Sequence, residues 1–102
     1  MINQVEVSNR AERSLGKVPR QVAVKFFYWK QLVEEHGLEF VRTISGYHDE
    51  PLQGKLKGYA RSVRMALGYR AYYRVIGRTI QCVLVEEVNR HDYKEIERLF
   101  GL

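Results

Sequence analysis

The chain of 102 residues has one cysteine, two prolines and three histidines. It has no apolar run long enough to span a bilayer. A single cysteine excludes an internal disulfide and fits a reducing compartment. Cys82 lies in the apolar run Ile80 to Val85, where a small buried hydrophobe is expected rather than a nucleophile. A reactive thiol needs an accessible, electropositive niche. One cysteine and three scattered histidines lack zinc-ligand spacing, so no metal and no other cofactor is expected. Glycine loops of the P-loop or dinucleotide type are also missing. The first residues lack the charged start and apolar stretch of a signal peptide, and a soluble cytoplasmic protein with no membrane association is expected.

Hydrophobic residues make up 45% and charged residues 28%, proportions that disfavour wholesale disorder. The length suits one core, giving a single domain over residues 1–102. Seventeen basic residues against twelve acidic leave a formal charge of +5, which favours a polyanionic partner.

Gln4 to Val7 has the look of a short strand. Asn9 and Glu12 have capping-box spacing, so a short helix is expected to begin there and to end at Gly16. Pro19 fits the first turn of a second helix. In that helix Val18, Val22, Phe26, Trp29 and Val33 form a stripe at helical spacing. Val24, Phe27, Tyr28 and Leu32 are expected to widen it into the main face packed on a sheet. Gly37 marks its end, and a helical turn through Leu38, Val41 and Ile44 follows. Residues 46–59 read as loop. In the run His48-Asp49-Glu50-Pro51, a turn stabilised by Asp49 and Pro51 outweighs an acid–base cluster. Strands are expected over 61–66, 69–76 and 79–88, joined by turns at Leu67-Gly68 and Gly77-Arg78. Asp92 and Glu95 box the last helix, whose apolar face is Ile96, Leu99 and Phe100. The class is α+β: a helical hairpin covers one face of an antiparallel meander, with a short carboxy-terminal helix. The other sheet face carries the arginines and has no obvious cover.

Strand alternation sets Arg70, Tyr72 and Arg74 on one face and Tyr69, Ala71, Tyr73 and Val75 on the other. Guanidinium groups beside aromatic rings suit RNA, because arginine holds phosphate and aromatics stack on bases. Lys55, Lys57, Arg61, Tyr72, Arg74 and Arg90 are the candidate RNA contacts. For Arg74, pairing with Glu86 or Glu87 across the hairpin is an equal expectation. His91 and Tyr93, just past the last strand, could supply proton transfer.

Four segments together resemble toxins of the RelE/ParE superfamily from type II toxin–antitoxin systems. They are Leu52 to Gly58 (Leu-Gln-Gly-Lys-Leu-Lys-Gly), Arg61 to Met65, Gly68 to Val75, and Val88 to Tyr93. The resemblance spans nearly the whole chain. It implies a microbial-RNase-like fold, a cognate antitoxin, and cleavage of mRNA in the A site of the 70S ribosome. By resemblance, Arg70 matches the arginine that contacts the scissile phosphate, and Arg64 a basic residue on the preceding strand. Ser62 stands where some members carry lysine. His91 and Tyr93 match the histidine and tyrosine of the histidine-using branch. The carboxylate base that some members place on the first meander strand has no visible counterpart. Such enzymes need no metal: the substrate's 2′-hydroxyl attacks, arginine stabilises the charge on phosphorus, and a histidine moves the proton. The catalytic set is then Arg64, Arg70, His91 and Tyr93. A ParE-like inhibitor of DNA gyrase is the other function implied for this fold. On physical grounds, a basic face with exposed aromatics also invites an acidic amphipathic segment that orders on binding. It could cover the arginines or displace the last helix.

Overall fold

The computed structural model describes residues 1–87 and 93–101. Strand β1 is Gln4–Val7, and Ser8 follows as the cap of helix α1, Asn9–Leu15. The Ser8 hydroxyl accepts the Ala11 N–H at 3.0 Å, so the cap falls one residue before the Asn9–Glu12 box expected from the sequence. Gly16 ends α1 as expected. Helix α2 spans Arg20–His36, with Pro19 as its cap rather than its first helical residue. Val22, Phe26, Trp29 and Val33 are wholly buried against the sheet.

The widened stripe is corrected by the structure. Val24, Phe27 and Tyr28 are 57%, 53% and 57% exposed. They lie round the helix from the buried row, and α2 is the outermost layer on that side. Gly37 then turns the chain with φ of 87°, where a Cβ would also meet the Met1 side chain at 2.6 Å. Helix α3, Leu38–Val41, follows.

The expected loop contains more structure than its composition announces. A 3-10 turn covers Ser45–Tyr47, a two-residue strand β2 covers Glu50–Pro51, and a second 3-10 turn covers Gly54–Leu56. Strands β3 (Arg61–Arg64), β4 (Tyr69–Ile76) and β5 (Thr79–Glu87) form the meander, and helix α4 is Tyr93–Leu99. β3 stops two residues early because the chain turns through Leu67 (φ 55°) and Gly68 (φ 80°).

The sheet has five strands in the order β1-β5-β4-β3-β2. β1 lies parallel to β5, and the other pairs are antiparallel. The main core lies between the helices and one sheet face, where Phe26 and Trp29 meet Val63, Ala71, Tyr73 and Cys82. Burial pushes the Cys82 thiol up to about 12, which keeps it protonated and unreactive. A second core occupies the opposite face, where Leu52, Leu56, Tyr72, Leu84, Ile96 and Phe100 pack together. The expectation of an uncovered arginine face is therefore corrected. α4 and the turn at Gly54–Leu56 cover its middle.

β5 also carries an extra residue. Tyr72 faces Leu84 while Tyr73 faces Cys82, leaving Val83 as a bulge that faces the second core beside Leu84. Past the end of β1, α1 takes over the edge of β5. The Val85 N–H donates to Ser14 Oγ at 3.2 Å, and the Ser8 hydroxyl donates to the Val83 carbonyl at 3.3 Å. Among the described residues, no helix is long and apolar enough to cross a membrane.

Candidate nucleic-acid site

Residues directly opposite each other in an antiparallel pair share a face. Arg64 is opposite Arg70, Ser62 opposite Tyr72, and Glu50 opposite Ser62. All of them lie on the sheet face away from α2. The two arginines singled out in the sequence are thus brought together at one end of that face, beyond the cover given by α4.

Arg70 is held from several directions. Its Nε donates to Ser62 Oγ at 2.8 Å. Its Nη2 donates to the Ser62 carbonyl at 3.1 Å and to the His48 carbonyl at 2.7 Å. The Glu50 carboxylate lies 3.6 Å from the same nitrogen, and the Arg70 side chain is only 11% exposed. Glu50 in turn reaches the His48 ring, with Nε2 3.3 Å from Oε2 and both side chains about half exposed. An imidazole, a carboxylate and a guanidinium therefore form one chain of contacts. Arg64 beside them is exposed and makes no hydrogen bond or ion pair among the described residues. A guanidinium pre-aimed by its own backbone contacts loses little freedom when it takes a phosphate oxygen.

The run His48 to Pro51 departs from the expected local turn. His48 has a left-handed backbone (φ 45°), which turns the chain into β2. Asp49 does stabilise the segment, but through distant partners. Its carboxylate is 1% exposed and accepts from Arg61 Nε at 2.6 Å and from the Tyr73 hydroxyl at 2.5 Å. Burial and then the neighbouring Asp49 charge hold the Tyr73 hydroxyl far above the ordinary tyrosine range. Burial works against the Arg61 charge, but Asp49 outweighs it and raises that guanidinium. Arg61 faces Tyr73 on the helix side of the sheet. This former RNA candidate is committed to Asp49 and does not share the face of Arg64 and Arg70.

The other candidates fall into place as follows. Tyr72 is 2% exposed beneath α4, so its ring offers no stacking surface in this arrangement. Arg74 does not pair with Glu86 or Glu87, because the register sets it opposite Gln81. Its Nε donates to Gln81 Oε1 at 2.8 Å, and its guanidinium lies 5.0 Å over the Phe100 ring. Lys55 is exposed and 3.9 Å from Glu97 of α4, while Lys57 is exposed. Arg90 and His91 lie outside the described residues, and Tyr93 is placed by its backbone alone at the start of α4.

Glu50 and His48, which the sequence reading weighs as an acid–base cluster and sets below a turn, join the candidate site together with Ser62. Glu50 supplies a carboxylate from β2, the strand that pairs with β3, while β3 itself, the first meander strand, carries none, as expected. The available signal was spacing. Ser62 and Arg64 stand two apart on one strand, whereas His48 sits in a left-handed turn before β2. Among the described residues no group of three acidic, histidine or cysteine side chains is placed to hold a metal.

No protein-family model and no curated protein matches the chain. Solved structures do match. YafQ from E. coli strain BL21(DE3) superposes with a TM-score of 0.66 at 17% identity, over 83% of this chain and 92% of that one. A chain of the archaeal RelE–RelB complex from Pyrococcus horikoshii OT3 gives 0.66 at 17% identity, over 89% and 100%. The YoeB dimer from Staphylococcus aureus gives 0.62 at 15% identity, over 84% and 97%. The order of elements, the five-stranded sheet and the placement of Arg64 and Arg70 thus sit on the α+β fold shared by RelE, YafQ and YoeB.

Proposed function

We propose that this chain is the toxin of a type II toxin–antitoxin system. It acts as a metal-independent endoribonuclease that cleaves mRNA in the ribosomal A site. The observation that carries this reading is the meeting of Arg64 and Arg70 across β3 and β4 beside the His48–Glu50 pair. The RelE/YafQ/YoeB fold supports it, and so do the antitoxin-bound forms of similar structures, the E. coli DinJ–YafQ and archaeal RelE–RelB complexes.

In this reading the scissile phosphate sits between Arg64 and Arg70. Their permanent charge stabilises the extra negative charge on phosphorus without a metal ion. Phosphate takes the place of Glu50 against Arg70. The freed carboxylate, steadied by His48, accepts the proton of the attacking 2′-hydroxyl. The 2′-oxygen bonds to phosphorus, the bond to the 5′-oxygen breaks, and a 2′,3′-cyclic phosphate forms. His91 is assigned as the acid that protonates the leaving 5′-oxygen, and Tyr93 as a residue that stacks on a base or donates a hydrogen bond.

The test is primer extension on translated mRNA after induction. Discrete cleavage ends, absent for Arg70→Ala, are expected. Growth arrest with DNA damage and intact mRNA would replace this reading with gyrase inhibition.

A further inference from the structure

An arginine on a strand is a long side chain, and left alone it samples many rotamers. Few of them present an N–H group to one given phosphate. Beneath Arg70 lies Ser62, a polar residue only 1% exposed. Ser62 stands in the middle of a row across the face, opposite Glu50 of β2 on one side and Tyr72 of β4 on the other. Arg70 meets it twice. Nε donates to the Ser62 hydroxyl oxygen at 2.8 Å, and Nη2 donates to the Ser62 carbonyl at 3.1 Å. Nε and Nη2 share one edge of the planar guanidinium. Ser62 therefore holds that edge, which fixes the plane and leaves the Nη1 end facing away from it.

The remaining contacts of Arg70 differ in kind. The Glu50 carboxylate, 3.6 Å from Nη2 and about half exposed, is held by charge. In the reaction proposed above it gives way to phosphate and then takes up a proton, and each change weakens its pull on Arg70. The Ser62 hydroxyl and the carbonyls of Ser62 and His48 carry no charge that the reaction alters. Of these three acceptors, only the hydroxyl belongs to a side chain. It is the one that the identity of residue 62 decides.

We infer, resting on the ribonuclease reading of this site, that Ser62 is a positioning residue for the reaction. It touches neither the RNA nor the reacting atoms. It acts through Arg70, keeping the guanidinium in place while Glu50 changes partner and charge. Lysine at position 70 would supply a charge but no Nε N–H for Ser62 to hold. The advantage of arginine over lysine there thus depends on the serine.

The test is a double-mutant cycle of Ser62→Ala and Arg70→Lys in single-turnover cleavage of mRNA on ribosomes. Ser62→Ala should lower the maximal rate about tenfold, as for one charge-assisted hydrogen bond. The half-saturating concentration should stay within about twofold. Arg70→Lys should lower the rate by about tenfold or more. Adding Ser62→Ala to it should cost less than about twofold further, since no Nε remains to be held. A merely structural serine would cost the same factor in both backgrounds, and that additivity would overturn the inference. Ser62→Cys keeps the side-chain size with a weak acceptor and should repeat the pattern if urea denaturation shows Ser62→Ala unfolded. Nitrogen-15 NMR reads the hold without cleavage, the Arg70 Nε–H resonance being assigned by its loss in Arg70→Lys. Its exchange with water should be at least about tenfold faster in Ser62→Ala than in the wild-type chain. Equal exchange in the two proteins would overturn the inference even in a chain that cleaves RNA. A wild-type chain with a protected Nε–H that leaves mRNA intact would instead overturn the ribonuclease reading, and the positioning role with it.

Discussion

Replacing Asp49 by alanine tests how the site is held. The Asp49 carboxylate is buried and accepts two short hydrogen bonds, from Arg61 at 2.6 Å and Tyr73 at 2.5 Å. Each bond to a charged group contributes about 1.5–3 kcal/mol. Removing one partner of a buried ion pair costs about 3–5 kcal/mol, because the other charge is left uncompensated. Arg61 keeps a quarter of its side chain exposed and can turn toward water, which favours the lower end, about 3 kcal/mol. That is a large share of the roughly 5–15 kcal/mol that holds a domain together. With a urea slope of about 1.5 kcal/mol per molar, the midpoint should fall by about 2 M. Urea titration followed by Trp29 fluorescence reads this directly, since Trp29 packs 5.7 Å from the Tyr73 ring. Tyr73→Phe in the Asp49→Ala background should add little, giving a coupling of about 1 kcal/mol or more in the double-mutant cycle. A midpoint shift below about 0.5 M, or full additivity of the two changes, would refute the claim that this network pins the segment carrying His48 and Glu50.

Other consequences follow from single residues. Leu67 holds a left-handed backbone while 60% exposed, so Leu67→Gly should stabilise the fold by about 0.5–1 kcal/mol, read as a raised urea midpoint. Cys82 has its thiol pushed up to about 12 by burial. A folded-state value above the unfolded one gives stability that is complete below the ordinary thiol range and is lost as pH rises toward 12. Accordingly, thiol labelling at pH 8 should track the unfolded fraction across a urea series, and rapid labelling of the native protein would contradict that burial. Glu50→Gln keeps the shape beside Arg70 but removes the proposed base. Single-turnover cleavage should slow by about 100-fold or more with mRNA binding retained, and an unchanged rate would move proton abstraction to another group.

Much of the fold could be read from local pattern because the pattern is strong where local physics decides. Tyr69–Ile76 reads as a strand from its β-forming residues and is one over those same residues. Val22, Phe26, Trp29 and Val33 keep helical spacing and are buried together. Periodicity could not decide which of two adjacent apolar rows on α2 faces the sheet, since Val24, Phe27 and Tyr28 are as apolar as the buried row. Strand β2 has two residues, too few for any alternation to register. The bulge turns both Val83 and Leu84 to the second core, and no turn residue announces it. The site was half legible. Arg64 and Arg70 followed from strand pairing. His48 and Glu50 did not, because their placement depends on Asp49 reaching partners 12 and 24 positions away.

The most direct measurement is single-turnover cleavage of mRNA on ribosomes by the wild-type chain and by Arg70→Ala, with the 3′ ends of the products identified. Removing the guanidinium proposed to hold the phosphate should lower the rate by at least about 100-fold, in a variant whose circular dichroism and urea midpoint show it folded, and the wild-type products should end in 2′,3′-cyclic phosphate. An Arg70→Ala protein that cuts at the wild-type rate, or a wild-type protein that leaves mRNA intact, would contradict the account.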